Sequence, residues 1–318
     1  MVGECFPFLI GRGRSGTTLL RSIVDSHSQI AIPYESHFPV TMGLDRIQYE
    51  NSDAFDVDRF LKHLGRNYGF RRWGIDVEEV NSVVRELLPE DLPSAIRLVY
   101  SAYARCQGKR RYGEKTPGFV THIPLLSQMF AESRFVHVIR DGRNVALSYL
   151  AGGWGPKDVG EAAIYWRRFV EAGRRDGVAL GEERYMELRY EELVDNPEPM
   201  VKRVCRFIDL SYEPQMLRYF DRGDVVPDRL REHLSRGHQN LRRPPTKGLR
   251  DWQQEMATED IELFEAIAGD LLTELGYERT VSRFSMRARA AAAAAWLQVQ
   301  HRRASRRIAK TRAAWSRP

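Results

Sequence analysis

The sequence predicts a three-layer α/β fold, with a central, mainly parallel sheet flanked by helices and a basic helical C-terminal tail. Three observations predict it. Short apolar runs of strand length alternate with longer segments of helical spacing, as parallel sheets with crossover helices require. The first run passes through a glycine-bounded turn into a helix. Residues 134–150 repeat that strand–turn–helix order.

Taken in order, residues 6–10, Phe-Pro-Phe-Leu-Ile, form an uninterrupted apolar run suited to a buried strand. Gly11-Arg12-Gly13-Arg14-Ser15-Gly16 is the turn, and Leu19, Leu20, Ile23 and Val24 continue with helical spacing after Thr17-Thr18. Ile30-Ala31-Ile32 is a second, short strand ending in Pro33-Tyr34-Glu35-Ser36-His37. Residues 36–108 are mostly helical, with helix spacing over 58–64, 77–88 and 94–106 and a basic, aromatic loop at 67–74. Pro117 can open a helix that 122–130 continues. Strands are expected at 134–139 and 185–190, and helices at 144–150, 162–175 and 196–208. The chain from Pro214 to Trp252 is loop-rich and basic, and Pro244-Pro245 excludes regular helix there. Thr258 caps a helix whose first turns carry Glu259, Asp260 and Glu262, and Gly276 stops it. The expected organisation is one domain over 1–278 and an Ala/Arg-rich basic tail over 279–318.

A chain of 318 residues, 42% hydrophobic and 29% charged, can bury a substantial core. No apolar run reaches membrane-spanning length, and the N-terminal run lacks the basic flank of a leader. Cys5, Cys106 and Cys205 are odd in number and widely spaced, which suggests neither a disulfide framework nor a zinc site and points to a reducing cytoplasm. The net charge of +6 combines +11 from residues 279–318, which hold no acidic residue, with −5 from the rest. A mildly acidic body does not suggest non-specific nucleic-acid binding.

The first turn carries chemistry. Strand, glycine loop and helix start together cradle phosphate, because glycines admit close backbone approach and free N–H groups point at the anion. Gly11 and Gly16 have P-loop spacing, so the fold is P-loop-like, but Thr17 fills the slot where a nucleoside triphosphatase needs lysine. The expected ligand is an anion with no γ-phosphate, and Arg14 can supply the missing charge.

Arg14-Ser15-Gly16-Thr17-Thr18-Leu19 resembles the 5′-phosphosulfate loop of sulfotransferases that use 3′-phosphoadenosine 5′-phosphosulfate (PAPS). Residues 134–148, R-F-V-H-V-I-R-D-G-R-N-V-A-L-S, resemble that family's 3′-phosphate motif, and the two occur in its order and at its usual separation. Glu114-Lys115-Thr116-Pro117 and Arg189-Tyr190-Glu191-Glu192-Leu193 are also similar to family segments, and the likeness covers roughly residues 5–275. The resemblance implies that Arg12, Gly13, Arg14, Ser15, Gly16, Thr17 and Thr18 hold the 5′-phosphosulfate. It implies that Arg140 and Ser148 hold the 3′-phosphate, with Tyr190 near the nucleotide. Lys247-Gly248 with Asp251-Trp252 resembles the family's C-terminal Lys-Gly…Asp-Trp segment, one residue shorter than the cytosolic pattern, and implies that Lys247 reaches the 3′-phosphate. Glu35 matches the glutamate base of the tyrosylprotein-type and related bacterial branch; the histidine that cytosolic enzymes use instead has no match.

The chemistry is sensible without the resemblance. Sulfuryl transfer moves a charged group in line from a phosphate to an acceptor oxygen, so positioning and charge stabilisation dominate. Glu35 can accept the proton of a hydroxyl, and Arg14 and Lys115 can stabilise the transferring and bridging oxygens. No metal is required. The acceptor is a hydroxyl-bearing carbohydrate, lipid, small molecule or peptide. His37 and His122 are the runner-up acid–base residues, His27 and His137 are packing or turn residues, and the aromatics from Phe70 to Trp73 are either a pocket lining or a surface cluster. In the tail, Leu297, Ala304, Ile308, Thr311 and Trp315 share a helical face, and Arg302, Arg303, Arg306, Arg307 and Lys310 lie mainly elsewhere. Two readings stay open: peripheral contact with the inner membrane face, or a solvated extension. A P-loop small-molecule kinase and a non-catalytic nucleotide- or membrane-binding protein are the rival functions.

Overall fold

The computed structural model describes residues 4–50, 54–153, 155–221, 241, 243–246 and 250–315, with residues 306–315 described by backbone alone. The described strands are β1 (Phe6–Gly11), β2 (Ile30–Ala31), β3 (Arg111–Tyr112), β4 (Ser133–Ile139) and β5 (Tyr185–Arg189). β1, β4 and β5 form a parallel sheet in the order β1–β4–β5. Gly11 stands opposite Val138, and Ile139 opposite Arg189, so the three strands end at the same edge. β2 and β3 pair in parallel, Ile30 with Arg111. The chain after β3 then reaches the outer edge of β1 through a parallel bridge between Phe8 and Glu114.

The apolar runs are continuous because both faces of the sheet are covered. Phe6, Phe8, Ile10 and Phe135 enter one apolar cluster, with Phe38, Tyr100 and Phe130. Leu9, Val136, Val138 and Leu188 enter the other, with Leu20, Ile23 and Val204. The helices Leu92–Cys106 and Ile123–Met129 supply the first face, and Thr17–Asp25 and Pro197–Phe207 the second. This is the expected α/β arrangement of a parallel sheet between helical layers.

Local differences from the expected elements have local causes. The segment from Pro117 divides into a 3-10 turn, Pro117–Thr121, and a helix, Ile123–Met129, because a second proline, Pro124, starts a new helix. Tyr190 begins the helix Tyr190–Asp195 instead of ending a strand. Thr258 lies inside its helix, and Ala257 occupies the cap position without a side-chain bond.

The chain forms two compact units. One holds the described residues up to Ile139 and from Phe169 to Thr246, including the whole sheet; the other holds the described residues from Arg140 to Arg168 and from Arg250 onward. The second unit is organised by Arg143. Its guanidinium is buried, pairs with Asp141 and Glu265 at 2.8 Å each, and lies 3.5 Å from the Trp252 ring centre. In the same unit the helix Met286–Trp315 packs on Thr258–Glu274, burying Ala288, Ala292 and Val299. Arg302 pairs with Glu161 at 2.9 Å. Among the described residues, no helix is long and apolar enough to cross a membrane.

Candidate functional site

The loop after β1 has the backbone its sequence calls for. Gly11, Arg14 and Gly16 have φ of 154°, 73° and 98°. A Cβ on Gly16 would lie 2.2 Å from the Tyr190 ring, so only glycine lets the loop close on that aromatic. Ser15 N–H donates to the Arg12 carbonyl at 3.1 Å, which tightens the turn. Ser15 and Thr17 are buried, and the Arg12 guanidinium sits 4.6 Å from the Phe169 ring centre. Gly13, Arg14 and Thr18 are half-buried. Loop 12–18 and Tyr190 are therefore brought together in the first unit.

Glu35 is held by its neighbours' backbone. Arg21 Nε donates to the Ile32 carbonyl at 2.8 Å, and Asp25 accepts the Ile32 N–H at 2.8 Å. Trp73 Nε1 donates to the Tyr34 carbonyl at 2.8 Å, and the Ser36 N–H donates to Thr116 Oγ1 at 3.2 Å. The chain from 32 to 36 is thus pinned on both sides of Glu35.

The Glu35 side chain is 35% exposed, and its Oε1 accepts from Lys115 Nζ at 2.7 Å, with the lysine only 3% exposed. His37 Nε2 lies 3.7 Å from the other carboxylate oxygen. Burial pushes the Glu35 pKa up, but Lys115, His37 and Arg72 together hold it below the usual carboxylate range. Burial, with Lys115 and Arg72, lowers the His37 imidazole despite the opposing Glu35 charge. A carboxylate that stays ionised and reaches solvent, beside a buried cation, can accept a proton from an entering hydroxyl while the cation faces developing negative charge.

The second unit carries Arg140 and Ser148. Arg140 follows β4 directly, and its carbonyl accepts from Trp166 Nε1 at 3.0 Å. Ser148 lies on the helix Gly142–Leu150, and both Arg140 and Ser148 are buried. Asn144 Oδ1 accepts the Trp252 N–H at 3.0 Å, which brings the Asp251-Trp252 segment onto that helix. Lys247 lies outside the described residues. Phe70 and Trp73 are core residues, packed with Phe38 and Tyr100, and so form no surface cluster. His27 and His137 are buried, and His137 Nδ1 meets the Tyr185 hydroxyl at 2.7 Å.

Sequence reasoning missed two residues beside Glu35. Arg72 contributes charge from the 67–74 loop. Glu114 is fully buried, and its carboxyl accepts from the hydroxyls of Tyr100 and Thr116. Burial pushes it up to about 7, although those hydroxyls and Lys115 pull the other way. Both lay inside stretches that had been singled out, but a charge next to another charge in a sequence reads as surface.

Comparison with known proteins identifies the family. The model of the Sulfotransferase family matches residues 8–214. Over 222 residues the chain is 23% identical to protein-tyrosine sulfotransferase A of Caenorhabditis elegans, covering 67% of this chain and 52% of that one. Over 299 residues it is 24% identical to nodulation protein NoeE of Sinorhizobium fredii, covering 86% and 66%. The chain thus spans between half and two thirds of the length of these relatives. Among solved structures it is similar to the sulfotransferase domain from the curacin biosynthetic pathway, with a TM-score of 0.61 at 18% identity, covering 87% of this chain and 99% of that one. It is also similar to the sulfotransferase domain of the Synechococcus PCC 7002 olefin synthase, with a TM-score of 0.57 at 19% identity, covering 87% and 97%. With nearly two thirds of its length matched to the family model, the chain belongs to the sulfotransferase family.

Proposed function

We propose that this protein moves the sulfuryl group of PAPS to a hydroxyl acceptor, with Glu35 as general base. The observation that carries the reading is the pair of Glu35 and Lys115 at 2.7 Å, one partner reaching solvent and the other buried. Arg12, Gly13, Arg14, Ser15, Gly16, Thr17 and Thr18 take the 5′-phosphosulfate through backbone N–H groups, hydroxyls and guanidinium charge. Arg140 and Ser148 take the 3′-phosphate, joined by Lys247, and Tyr190 lies by the nucleotide. The glycine-rich loop with left-handed backbone at Arg14 and Gly16, closed on Tyr190, suits such a group, since successive backbone N–H groups in such turns can gather around an anion.

In the reaction the acceptor oxygen forms a bond to sulfur as the bond from sulfur to the bridging phosphate oxygen breaks. The acceptor's proton passes to Glu35. Lys115 and Arg14 stabilise charge on the transferring and leaving oxygens, so 3′-phosphoadenosine 5′-phosphate (PAP) departs. As Lys115 turns to that charge its hold on Glu35 weakens, which makes the carboxylate a better base. Residues 1–278 carry this chemistry. The acceptor is a carbohydrate, lipid, small molecule or peptide, and nucleic acid is not a partner. The three cysteines are free, which supports a cytoplasmic setting. The basic tail supports contact with the inner, anionic membrane face.

Incubation with labelled PAPS and a panel of phenols, carbohydrates, lipids and peptides, read by mass spectrometry, tests the activity. Glu35→Gln is expected to lower turnover by about 10²–10⁴-fold while PAP binding stays intact. Full turnover in that variant would remove Glu35 as base. Thr17 in the lysine slot disfavours the kinase reading, and PAP but not ATP is expected to raise the melting temperature.

A further inference from the structure

Beneath the Glu35–Lys115 pair lies a carboxyl that the reaction does not use. Glu114 is 0% exposed, yet it is not paired with a buried cation in the way Arg143 and Glu265 are. Its backbone is fixed on the outer edge of β1, where Leu9 N–H donates to its carbonyl at 2.8 Å and its own N–H donates to the Pro7 carbonyl at 2.9 Å. Successive side chains on such an extended edge alternate in direction. Glu114 turns inward to Tyr100 of the helix Leu92–Cys106, and Lys115 turns to Glu35.

The carboxyl has two hydroxyl donors, one per oxygen. Tyr100 donates to Oε2, and Thr116 donates to Oε1. Having donated its only proton, Thr116 Oγ1 presents lone pairs, and one of them receives the Ser36 N–H at 3.2 Å. A single carboxyl therefore reaches both partners of the pair. It precedes Lys115 in the chain, and through Thr116 it holds the residue that follows Glu35. A buried carboxyl costs stability unless it is needed, and an apolar side chain would fill the same space at less cost.

We propose that Glu114 is a positioning residue, which orients the Thr116 hydroxyl to hold the Ser36 backbone and so keeps Glu35 opposite Lys115. This rests on the assignment of Glu35 as base. The groups facing Glu35 are Lys115, His37 and Arg72, and those facing Glu114 are Tyr100, Thr116, the Ser36 hydroxyl and the adjacent Lys115.

The test is the titration of the Glu35 carboxyl by NMR in the full chain with 13C-labelled glutamate, assigned by Glu35→Gln. Thr116→Val keeps the side chain's shape and removes the hydroxyl; Glu114→Ala removes the carboxyl. In both, the Glu35 midpoint is expected to rise by half a pH unit or more, as the Lys115 contact loosens. Thr116→Ser and Glu114→Gln, which keep a donor and an acceptor in place, are expected to stay near the wild-type midpoint. A purely structural carboxyl would lower the melting temperature in Glu114→Ala and leave the Glu35 midpoint where it was. An unchanged midpoint in folded Thr116→Val would overturn the proposal by itself. The readout does not depend on turnover, so it separates this proposal from the function on which it rests.

Discussion

Arg14 stands in a left-handed conformation, φ 73°, where a non-glycine residue costs about 1–2 kcal/mol. Retaining an arginine there makes sense if its charge is used, and it was legible in the sequence because it sat between two glycines of P-loop spacing. Glu35 is singled out in the sequence by its place at a strand end and by the family resemblance, whereas its ion pair with Lys115 comes only from the fold. Glu114 was not, since its meaning comes from Tyr100 and Thr116, whose hydroxyls meet it only in the fold. Its acidity gives a test at this scale. The folded carboxyl is raised from 4.5 to about 7, so it favours folding below the ordinary value, and that contribution is lost as pH rises through about 7. Glu114→Gln has no such loss. Denaturant unfolding at pH 5 and pH 8 is expected to show the variant gaining on the wild type at the higher pH, by on the order of 3 kcal/mol at most. Parallel pH profiles would contradict a raised Glu114.

Among the elements, the long periodic helices were readable: expected spans at 77–88, 94–106 and 258–275 appear as Val77–Leu87, Leu92–Cys106 and Thr258–Glu274. β3 was not, because two residues, Arg111–Tyr112, carry no alternation to read. Its importance lies in what it delivers, the bridge of Glu114 to Phe8 and hence Lys115. The loop that follows β1 depends on one glycine. Gly16→Ala would combine a strained φ of 98° with a Cβ 2.2 Å from Tyr190. It is expected to lower the melting temperature by about 5 °C or more, and to weaken PAP binding, as the loop opens. A calorimetric scan that leaves the midpoint unchanged would show that the loop and Tyr190 are not packed in this way.

For the whole molecule, charge distribution was legible from the sequence and the compact units were not. The tail's +11 is a count, whereas the packing of Ala288, Ala292 and Val299 in the second unit is a matter of tertiary fit. Leu297, by contrast, is 71% exposed, on the face expected to meet lipid. Because the helix Met286–Trp315 is packed near its start, removing it whole would disturb more than a surface. Replacing Arg306, Arg307, Lys310 and Arg312 with glutamine is the cleaner experiment. It is expected to abolish co-sedimentation with phosphatidylserine-containing vesicles, and that of the wild type is expected to fall with salt. Equal co-sedimentation of both proteins would dismiss the membrane reading.

The two arginines assigned to opposite ends of the nucleotide, Arg14 and Arg140, lie in different compact units. Calorimetric titration of PAP into the wild type, Arg14→Ala and Arg140→Ala is the most direct test that one nucleotide engages both. On the proposed assignment each substitution removes charge-assisted phosphate bonds, so each is expected to weaken binding by about 10–100-fold. Wild-type affinity in both variants would contradict the account.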